Sequence, residues 1–136
     1  MKLDYNLIKQ ILLTMAECDT HEIRSKTLMQ AIGVLDSKNI INEQLLDVFV
    51  GHIKILGDKN LIECSDKTNK FGFAKGLNDN YTISNPNFRI TAQGYEFLDI
   101  LKNDNVFNKI KNFAISNAIE IGKQLLIKYA INHVLS

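Results

Sequence analysis

Apolar residues recur at helical spacing near the start of the chain. The residues that follow this spacing are Leu7, Ile8, Ile11, Leu12 and Met15. Asp4 stands just before them, where a carboxylate accepts hydrogen bonds from the first backbone N–H groups of a helix. The pattern therefore predicts an amphipathic helix over residues 4–17 with Asp4 as its N-cap.

Two further helices are predicted before the middle of the chain. A brief strand in "CDTHEIRS" leads to "SKTLMQAIG", which predicts a short helix capped by Ser25 and ended by Gly33. A polar connector precedes a longer helix over residues 42–59. Its apolar face carries Leu45, Leu46, Phe49, Ile53 and Leu56. Asn60 follows, and asparagine readily takes the left-handed conformation that ends a helix.

The middle of the chain has the composition of strands and turns. The segments "LIECS", "YTIS" and "FRIT" predict three strands, and "NPN" predicts the turn between the last two. The excursion "DKTNKFGFAKGLNDN" is rich in Gly, Asn, Asp and Lys, and it predicts the tip of a hairpin formed by "LIECS" and the returning strands.

The remainder of the chain is helical in pattern. Thr91 is expected to cap a helix that contains Tyr95, Phe97, Leu98, Ile100 and Leu101. A last helix is expected from about residue 105 to 135, with a break allowed at residues 103–105. In "RITAQG" the final strand passes directly into a helix, so Ile90 should be buried and Gly94 should lie against the other helices.

The predicted order is helix, short strand, helix, helix, β-hairpin, helix, helix. This order indicates a winged helix-turn-helix, which is mainly α with a small antiparallel β-hairpin, extended by an extra C-terminal helix. We expect residues 1–103 to form the winged domain and residues 104–136 to form an oligomerisation element.

Composition indicates a globular protein, and its net charge gives little electrostatic attraction to nucleic acid. The 136 residues are 46% hydrophobic and 23% charged, and the formal net charge is +1. A protein that neutralises many phosphates normally carries a basic excess, so local charge decides the matter. The N-terminus lacks an export signal and no apolar run reaches the length of a membrane span, which predicts a cytoplasmic protein without membrane contact.

Enzyme chemistry finds no support in the sequence. His21, His52 and His133 fall in different elements, and no catalytic Ser/His/Asp, Cys/His or HExxH arrangement appears. We expect His52 to be a packed, hydrogen-bonded core residue and Cys18 and Cys64 to be small buried hydrophobes. The prediction is a non-enzymatic protein without metal or cofactor.

The outer face of the 42–59 helix is mostly acidic. Stepping 100° per residue places outside Glu43, Gln44, Asp47, Gly51, Lys54 and Asp58. Gln44 and Lys54 could enter a DNA groove, whereas the acids would repel phosphate, so a merely solvated face fits equally well. Val48 and Ile55 lie beside this face and could instead form a protein contact.

The excursion carries the opposite charge. Between residues 66 and 89 the charged residues are Lys67, Lys70, Lys75, Arg89, Asp66 and Asp79, a local excess of two positive charges. The three lysines are predicted to contact phosphates across a groove. Phe71 and Phe73 could wedge or stack there, or could pack one strand face onto the domain.

The C-terminal segment is apolar on more than one side. Residues 125–135 include Leu126, Ile127 and Ile131, and one amphipathic stripe cannot hide them all. We expect these residues to form a homodimer interface, with packing inside the monomer as the alternative. The lysines are spread around the helix, which disfavours a membrane-surface helix.

Three segments together resemble a known family. They are "MKLDYNLIKQILL", "HIKILGDKNLIE" and "RITAQGYEFLDILKNDNVFNKIKN", and the likeness is most specific between Ile90 and Lys111. They are similar to a domain-of-unknown-function family of small bacterial and prophage-borne winged-helix proteins. The resemblance implies the fold and a phage or mobile-element setting, and it implies no activity.

Two functions of different classes follow from these patterns. The first is a dimeric DNA-binding regulator of a phage or mobile element, which contacts DNA through Lys67, Lys70 and Lys75 with Gln44 and Lys54 as groove residues. The second is a winged helix used for protein recognition, such as an inhibitor or adaptor, through Val48, Ile55 and the acidic helix face.

Overall fold

A computed structural model of the protein describes residues 1–66 and 70–135, and the side chains of all of these except residues 133–135. In these ranges the chain forms six helices and five short strands. The helices are α1 (Tyr5–Ala16), α2 (Ser25–Ile32), α3 (Glu43–Asp58), α4 (Ala92–Lys102), α5 (Asp104–Ile110) and α6 (Ile115–Leu135). The strands are β1 (Ile23–Arg24), β2 (Ile62–Cys64), β3 (Phe73–Lys75), β4 (Tyr81–Ile83) and β5 (Asn87–Ile90). The fold is therefore mainly helical with small antiparallel sheets.

Local chemistry sets most helix boundaries. Asp4 accepts hydrogen bonds from the N–H groups of Asn6 and Leu7 at 3.0 and 3.2 Å, which confirms it as the N-cap of α1. Gly33 and Asn60 have φ angles of 95° and 58°, and these left-handed residues end α2 and α3 as predicted.

The predicted cap of α2 is wrong. Ser25 is the first residue of the helix and is buried, while its N–H donates to the carbonyl of Pro86 at 2.9 Å. The capping oxygen comes instead from Asn85, whose Oδ1 accepts the N–H of Lys26 at 2.9 Å. Asn85, which is 59 positions from Lys26 in the sequence, therefore supplies the cap that the local sequence predicts for Ser25.

The strands pair differently from the single hairpin that the sequence predicts. One sheet has the order β1-β5-β2, with Phe88 of β5 opposite both Ile23 and Cys64. The other sheet pairs β3, which lies within the excursion, with β4, so these two strands form a hairpin of their own with its tip at residues 76–80. We call β3, β4 and this tip the hairpin. Pro86 lies between β4 and β5, and its missing N–H favours two separate strands there.

The joint between β5 and α4 is held by close backbone packing. Thr91 caps α4 by accepting the N–H of Gly94 at 3.0 Å, and its own hydroxyl donates to the carbonyl of Asn60 at 2.6 Å. A Cβ at Gly94 would collide with the carbonyl oxygen of Leu61. The predicted need for a small residue at Gly94 is confirmed, because the end of α3 and the start of α4 meet there.

The C-terminal helix is interrupted where the sequence predicts continuity. The expected break at Asn103 separates α4 from α5, and a second one separates α5 from α6 at residues 111–114. Tyr5 lies 4% exposed on α1, and its hydroxyl donates to the carbonyl of Phe113 at 2.7 Å. The second break frees this carbonyl for a buried hydroxyl that needs a partner. Farther along, Gly122 lets α6 approach α4, since a Cβ there would lie 2.6 Å from Ile100.

Candidate binding surface

The hairpin is anchored on the domain by aromatic side chains. Phe73 is fully buried and packs edge to face against Phe49 of α3, with ring centroids 6.0 Å apart. Phe71 has a φ angle of 52° and packs against Phe88 at 5.6 Å. Of the two alternatives for these phenylalanines, the packing one is therefore the one observed, and neither ring is available to wedge or stack on a base.

Polar contacts hold the other side of the hairpin to the outer face of α3. The hydroxyl of Tyr81 donates to Oδ1 of Asp47 at 2.6 Å. The ammonium group of Lys75 lies 3.9 Å from the same oxygen and 5.5 Å from the centroid of the Tyr81 ring. The hydrogen bond to Asp47, together with partial burial, raises the pKa of Tyr81 to about 12. An acid of α3 and a lysine of the hairpin are thus paired with each other.

The outer face predicted for α3 is exposed in part. Glu43, Gln44, Asp47 and Asp58 are exposed, whereas Gly51 and Lys54 are half-buried. Val48 and Ile55 are half-buried rather than exposed aliphatics on this face. Val48 in particular points toward α1, where it lines a cavity, so it belongs to a different surface from Asp47.

The lysines of the excursion are described only in part. Lys67 lies outside the described residues, and Lys70 is exposed on the segment that leads into Phe71. Lys75 is paired with Asp47, as given above. A further lysine that sequence reasoning missed is Lys26 at the start of α2, which lines a cavity of about 200 Å³ together with Ile83 of the hairpin. The hydrogen bond from the N–H of Lys26 to Asn85 brings the start of α2 next to the hairpin. No local sequence pattern predicts this contact.

We call this region the α3–hairpin surface. It comprises Lys26, Gln44, Asp47, Lys54, Lys75 and Tyr81. Its charges are mixed, because the lysines alternate with the carboxylate of Asp47 and with the neighbouring acid Glu43. Such a surface can offer a few paired cations to a phosphate backbone, or a set of mixed charges to a protein.

The buried histidine is structural. His52 is fully buried on α3, where Nδ1 donates to the carbonyl of Val48 at 2.7 Å and Nε2 accepts the backbone N–H of Asp4 at 2.9 Å. This pair of bonds requires the neutral ring with its proton on Nδ1. The prediction of a packed, hydrogen-bonded histidine is confirmed, and the residue ties the start of α1 to α3.

The two cysteines are free thiols with different environments. Cys64 is buried in β2, and burial raises the pKa of its thiol to about 11. Cys18 follows α1 and is half-buried, so the prediction of a buried residue is confirmed for Cys64 and wrong for Cys18. The difference arises because Cys64 lies in a strand that faces the core, whereas Cys18 lies in the turn after a helix.

The predicted interface residues of α6 divide into two groups. Leu126 is half-buried and lines a cavity with Asn103, Tyr129 and Ala130. Ile127 and Ile131 are 61% and 51% exposed, which is unusual for aliphatic side chains four positions apart on one helix. Within the described part of the chain, no helix combines the length and the hydropathy needed to cross a membrane.

Comparison with known proteins identifies the class of the chain. It belongs to an uncharacterised domain family, as the sequence resemblance predicts. That family is DUF2513, described as "Hypothetical protein", and its model matches residues 2–120, from before α1 to the first turns of α6. Neither a curated protein nor a solved structure matches the chain.

Proposed function

We propose that the chain is a winged-helix protein. The element order α1-β1-α2-α3-β2-hairpin-β5 supports this assignment, as does the sheet order β1-β5-β2, in which the first short strand pairs with the strand that returns from the hairpin. In this arrangement α3 is the recognition helix and the hairpin is the wing. The tail formed by α5 and α6 is the addition to the winged domain.

We further propose that the α3–hairpin surface contacts duplex DNA. The observation that carries the proposal is the attachment of the hairpin to α3 by the Tyr81–Asp47 hydrogen bond and the Phe73–Phe49 contact, because it makes helix and wing one preformed surface. Gln44 and Lys54 lie on the helix side of that surface, and Lys75 lies on the wing side. In the proposal, Lys70 and Lys67 add phosphate contacts beside them.

The charge balance of this surface predicts weak binding to DNA that depends mainly on phosphate contacts and little on the base sequence. Lys75 must exchange the carboxylate of Asp47 for a phosphate, and Glu43 and Asp47 both oppose the approach of a polyanion. Binding should therefore be detectable at low salt and should fall as salt rises, with a slope that corresponds to only a few phosphates. The family resemblance suggests a bacterial, phage or mobile-element setting. In that setting we propose a cytoplasmic, non-enzymatic regulator, by analogy with the most common use of winged helices.

The experiment is a titration of random duplex DNA with the full-length protein, followed by fluorescence anisotropy at several salt concentrations. The variants Lys67→Ala, Lys70→Ala and Lys75→Ala should each weaken binding to every sequence and lower the salt slope by about 0.9 per lost contact. Lys128→Ala on α6 is the matched control and should leave the slope unchanged. Absence of binding at low salt, or an equal effect of the control, would remove DNA from consideration.

Symmetric pairing through α6 completes the proposal. Ile127 and Ile131 expose aliphatic surface, and with Leu126 they form the segment that a second copy could cover. A dimer would present two α3–hairpin surfaces to one duplex and would raise the effective affinity of a weak single site.

A second candidate, protein recognition, is favoured by a separate observation. The outer face of α3 carries Glu43, Asp47 and Asp58, and Asp47 forms an ion pair with Lys75 at 3.9 Å. Val48, by contrast, lines a cleft between α3 and α1 together with Leu13, Ile32 and Leu45, and such aliphatic side chains suit a protein partner better than a phosphate. The predicted roles of Val48 and Ile55 in a protein contact therefore remain the alternative proposal.

A further inference from the structure

A groove runs between α1 and the following two helices. Its floor is built from Leu13 of α1, Ile32 of α2, and Leu45 and Val48 of α3, and it encloses about 640 Å³. All four side chains are half-buried, so they pack on the core with one side and leave the other side open. A concave apolar floor drawn from three helices is the shape that accepts the ridge of a further helix.

The groove continues past Val48 toward α5. A second cavity of about 440 Å³ shares Asp4, Asn6 and Val48 with the first, and its apolar lining is extended by Leu3 and Phe107. The two cavities together offer apolar positions along the length of α1. We call them the α1 groove.

The rim of the α1 groove is positive. Lys9 borders the first cavity, and Lys2 and Lys111 border the second. Among the described residues that line the two cavities, Asp4 is the one acid, and its carboxylate already accepts the N–H groups that begin α1. The ammonium group of Lys9 lies 5.9 Å from the centroid of the Phe107 ring, which holds this charge beside the apolar lining.

The sign of this rim is opposite to that of the outer face of α3. Three lysines surround the α1 groove, and Asp4, the one acid among its described lining residues, is engaged in capping α1. The outer face of α3 carries three acids, Glu43, Asp47 and Asp58, and one lysine, Lys54. The α1 groove and the outer face of α3 therefore carry opposite local charge. Complementarity of charge sets the partner of each surface and the orientation in which it docks.

We propose that the α1 groove docks an acidic amphipathic helix of a partner protein, with aliphatic side chains on the floor and carboxylates beside Lys2, Lys9 and Lys111. Aliphatic anchors spaced at i, i+3, i+4 and i+7 fit an apolar groove between helices, and flanking acids match the cationic rim. Duplex DNA fits less well, because phosphates would find donors only along the rim and the aliphatic floor would stay uncovered. This inference rests on the protein-recognition candidate and names its site and partner class.

The test uses a fluorescein-labelled helical peptide of about three turns, with Leu at the anchor positions and Glu at the flanking ones. A matched peptide replaces every Glu with Lys. Anisotropy titration of the full-length protein should show the acidic peptide binding about tenfold or more tightly than the basic one. Lys9→Glu combined with Lys111→Glu should abolish or invert this preference, and Val48→Glu should remove binding of both peptides.

Two controls keep the outcome specific. Lys128→Glu changes the same charge on α6, outside the groove, and should leave the preference intact. Thermal unfolding followed by circular dichroism verifies that each variant is folded; if Val48→Glu is not, the Lys9→Glu and Lys111→Glu pair decides alone. Lys75→Ala on the α3–hairpin surface should not affect the peptide, so failure of the DNA proposal and failure of this one are distinguishable.

The results that would overturn the inference are equally defined. Equal affinity for the two peptides, or no binding of the acidic peptide up to about 1 mM, contradicts an acidic partner helix. Displacement of the peptide by duplex DNA, with loss of duplex affinity in the Lys9→Glu variant, would make the groove a DNA site. Conversion of a dimer to a monomer by Val48→Glu in sedimentation would assign the groove to a second copy of the chain.

Discussion

Tyr81 of the hairpin and Asp47 of α3 are joined by a hydrogen bond of 2.6 Å between the phenol hydroxyl and the carboxylate. The two residues lie 34 positions apart and belong to the two elements that form the candidate binding surface. Lys75 pairs with the same carboxylate, so the bond also determines where a cation of the hairpin lies. Asp47 therefore helps to fix the hairpin on α3, together with the packing of Phe73 on Phe49.

Tyr81→Phe should loosen the hairpin and change how stability depends on pH. Folding raises the pKa of Tyr81 from about 10 to about 12, so the stabilisation is complete below pH 10 and is lost as pH rises toward 12. At neutral pH the variant should lose at most about 1 kcal/mol in the free energy of unfolding, because the pair is largely exposed.

The measurement is urea unfolding of both proteins across that alkaline range. Tyr5 is a useful second site, because burial also raises its pKa to about 12. In Tyr5→Phe, the free energy of unfolding should therefore depend less on pH between about 10 and 12 than in the parent protein. At neutral pH this variant should lose more stability than Tyr81→Phe, since the carbonyl of Phe113 loses its buried donor. Identical alkaline profiles for the parent and the Tyr81→Phe variant would contradict the proposed role of the bond.

Asp47→Asn should strengthen duplex binding if the DNA proposal holds. The amide oxygen keeps an acceptor for the Tyr81 hydroxyl, while the substitution removes a negative charge and releases the ammonium group of Lys75. Salt titrations should show higher affinity and a slope steeper by nearly one phosphate contact. Asp99→Asn, an equal change on the exposed side of α4, is the control. Unchanged affinity in Asp47→Asn would place the DNA contact elsewhere.

Gly94→Ala should destabilise the protein strongly. The added methyl group would meet the carbonyl oxygen of Leu61, which already accepts the N–H of Thr91 at 3.1 Å, so backbone must move. We expect a loss of about 2 kcal/mol or more in the free energy of unfolding, measured with urea. Gly76→Ala at the hairpin tip is the matched control, because its nearest neighbour would be the Asn80 carbonyl oxygen at 3.5 Å. An equal, small effect of both would refute the tight joint.

The double variant Ile127→Ser and Ile131→Ser should convert a dimer to a monomer with little change in thermal stability. Both side chains are more than half exposed, so the folded monomer loses little by their replacement. Light scattering coupled to size-exclusion chromatography measures the mass. A parent protein that is already monomeric at micromolar concentration would end the dimer proposal, and a large fall in melting temperature would show that these residues pack inside the monomer.

The sequence alone determined the features that depend on neighbours within a few positions. Asp4, Thr91, Gly33 and Asn60 act at helix ends through their own side chain or backbone, and the apolar spacing of α1 and α3 identifies their buried faces. His52 also followed from this spacing, since it borders the apolar face of α3. The sequence predicts such features because the interacting residues lie within a few positions of one another.

Only the tertiary structure decided the features that join distant segments. The cap of α2 by Asn85, the pairing of β1 with β5, and the break that gives the carbonyl of Phe113 to Tyr5 each satisfy a polar group with a partner far along the chain. The candidate site is of this type: the sequence supplied Lys75 and Asp47 as opposite charges, and packing of Phe73 on Phe49 brought them together. Burial of apolar surface and satisfaction of buried hydrogen bonds are properties of the whole fold, so a local pattern cannot report them.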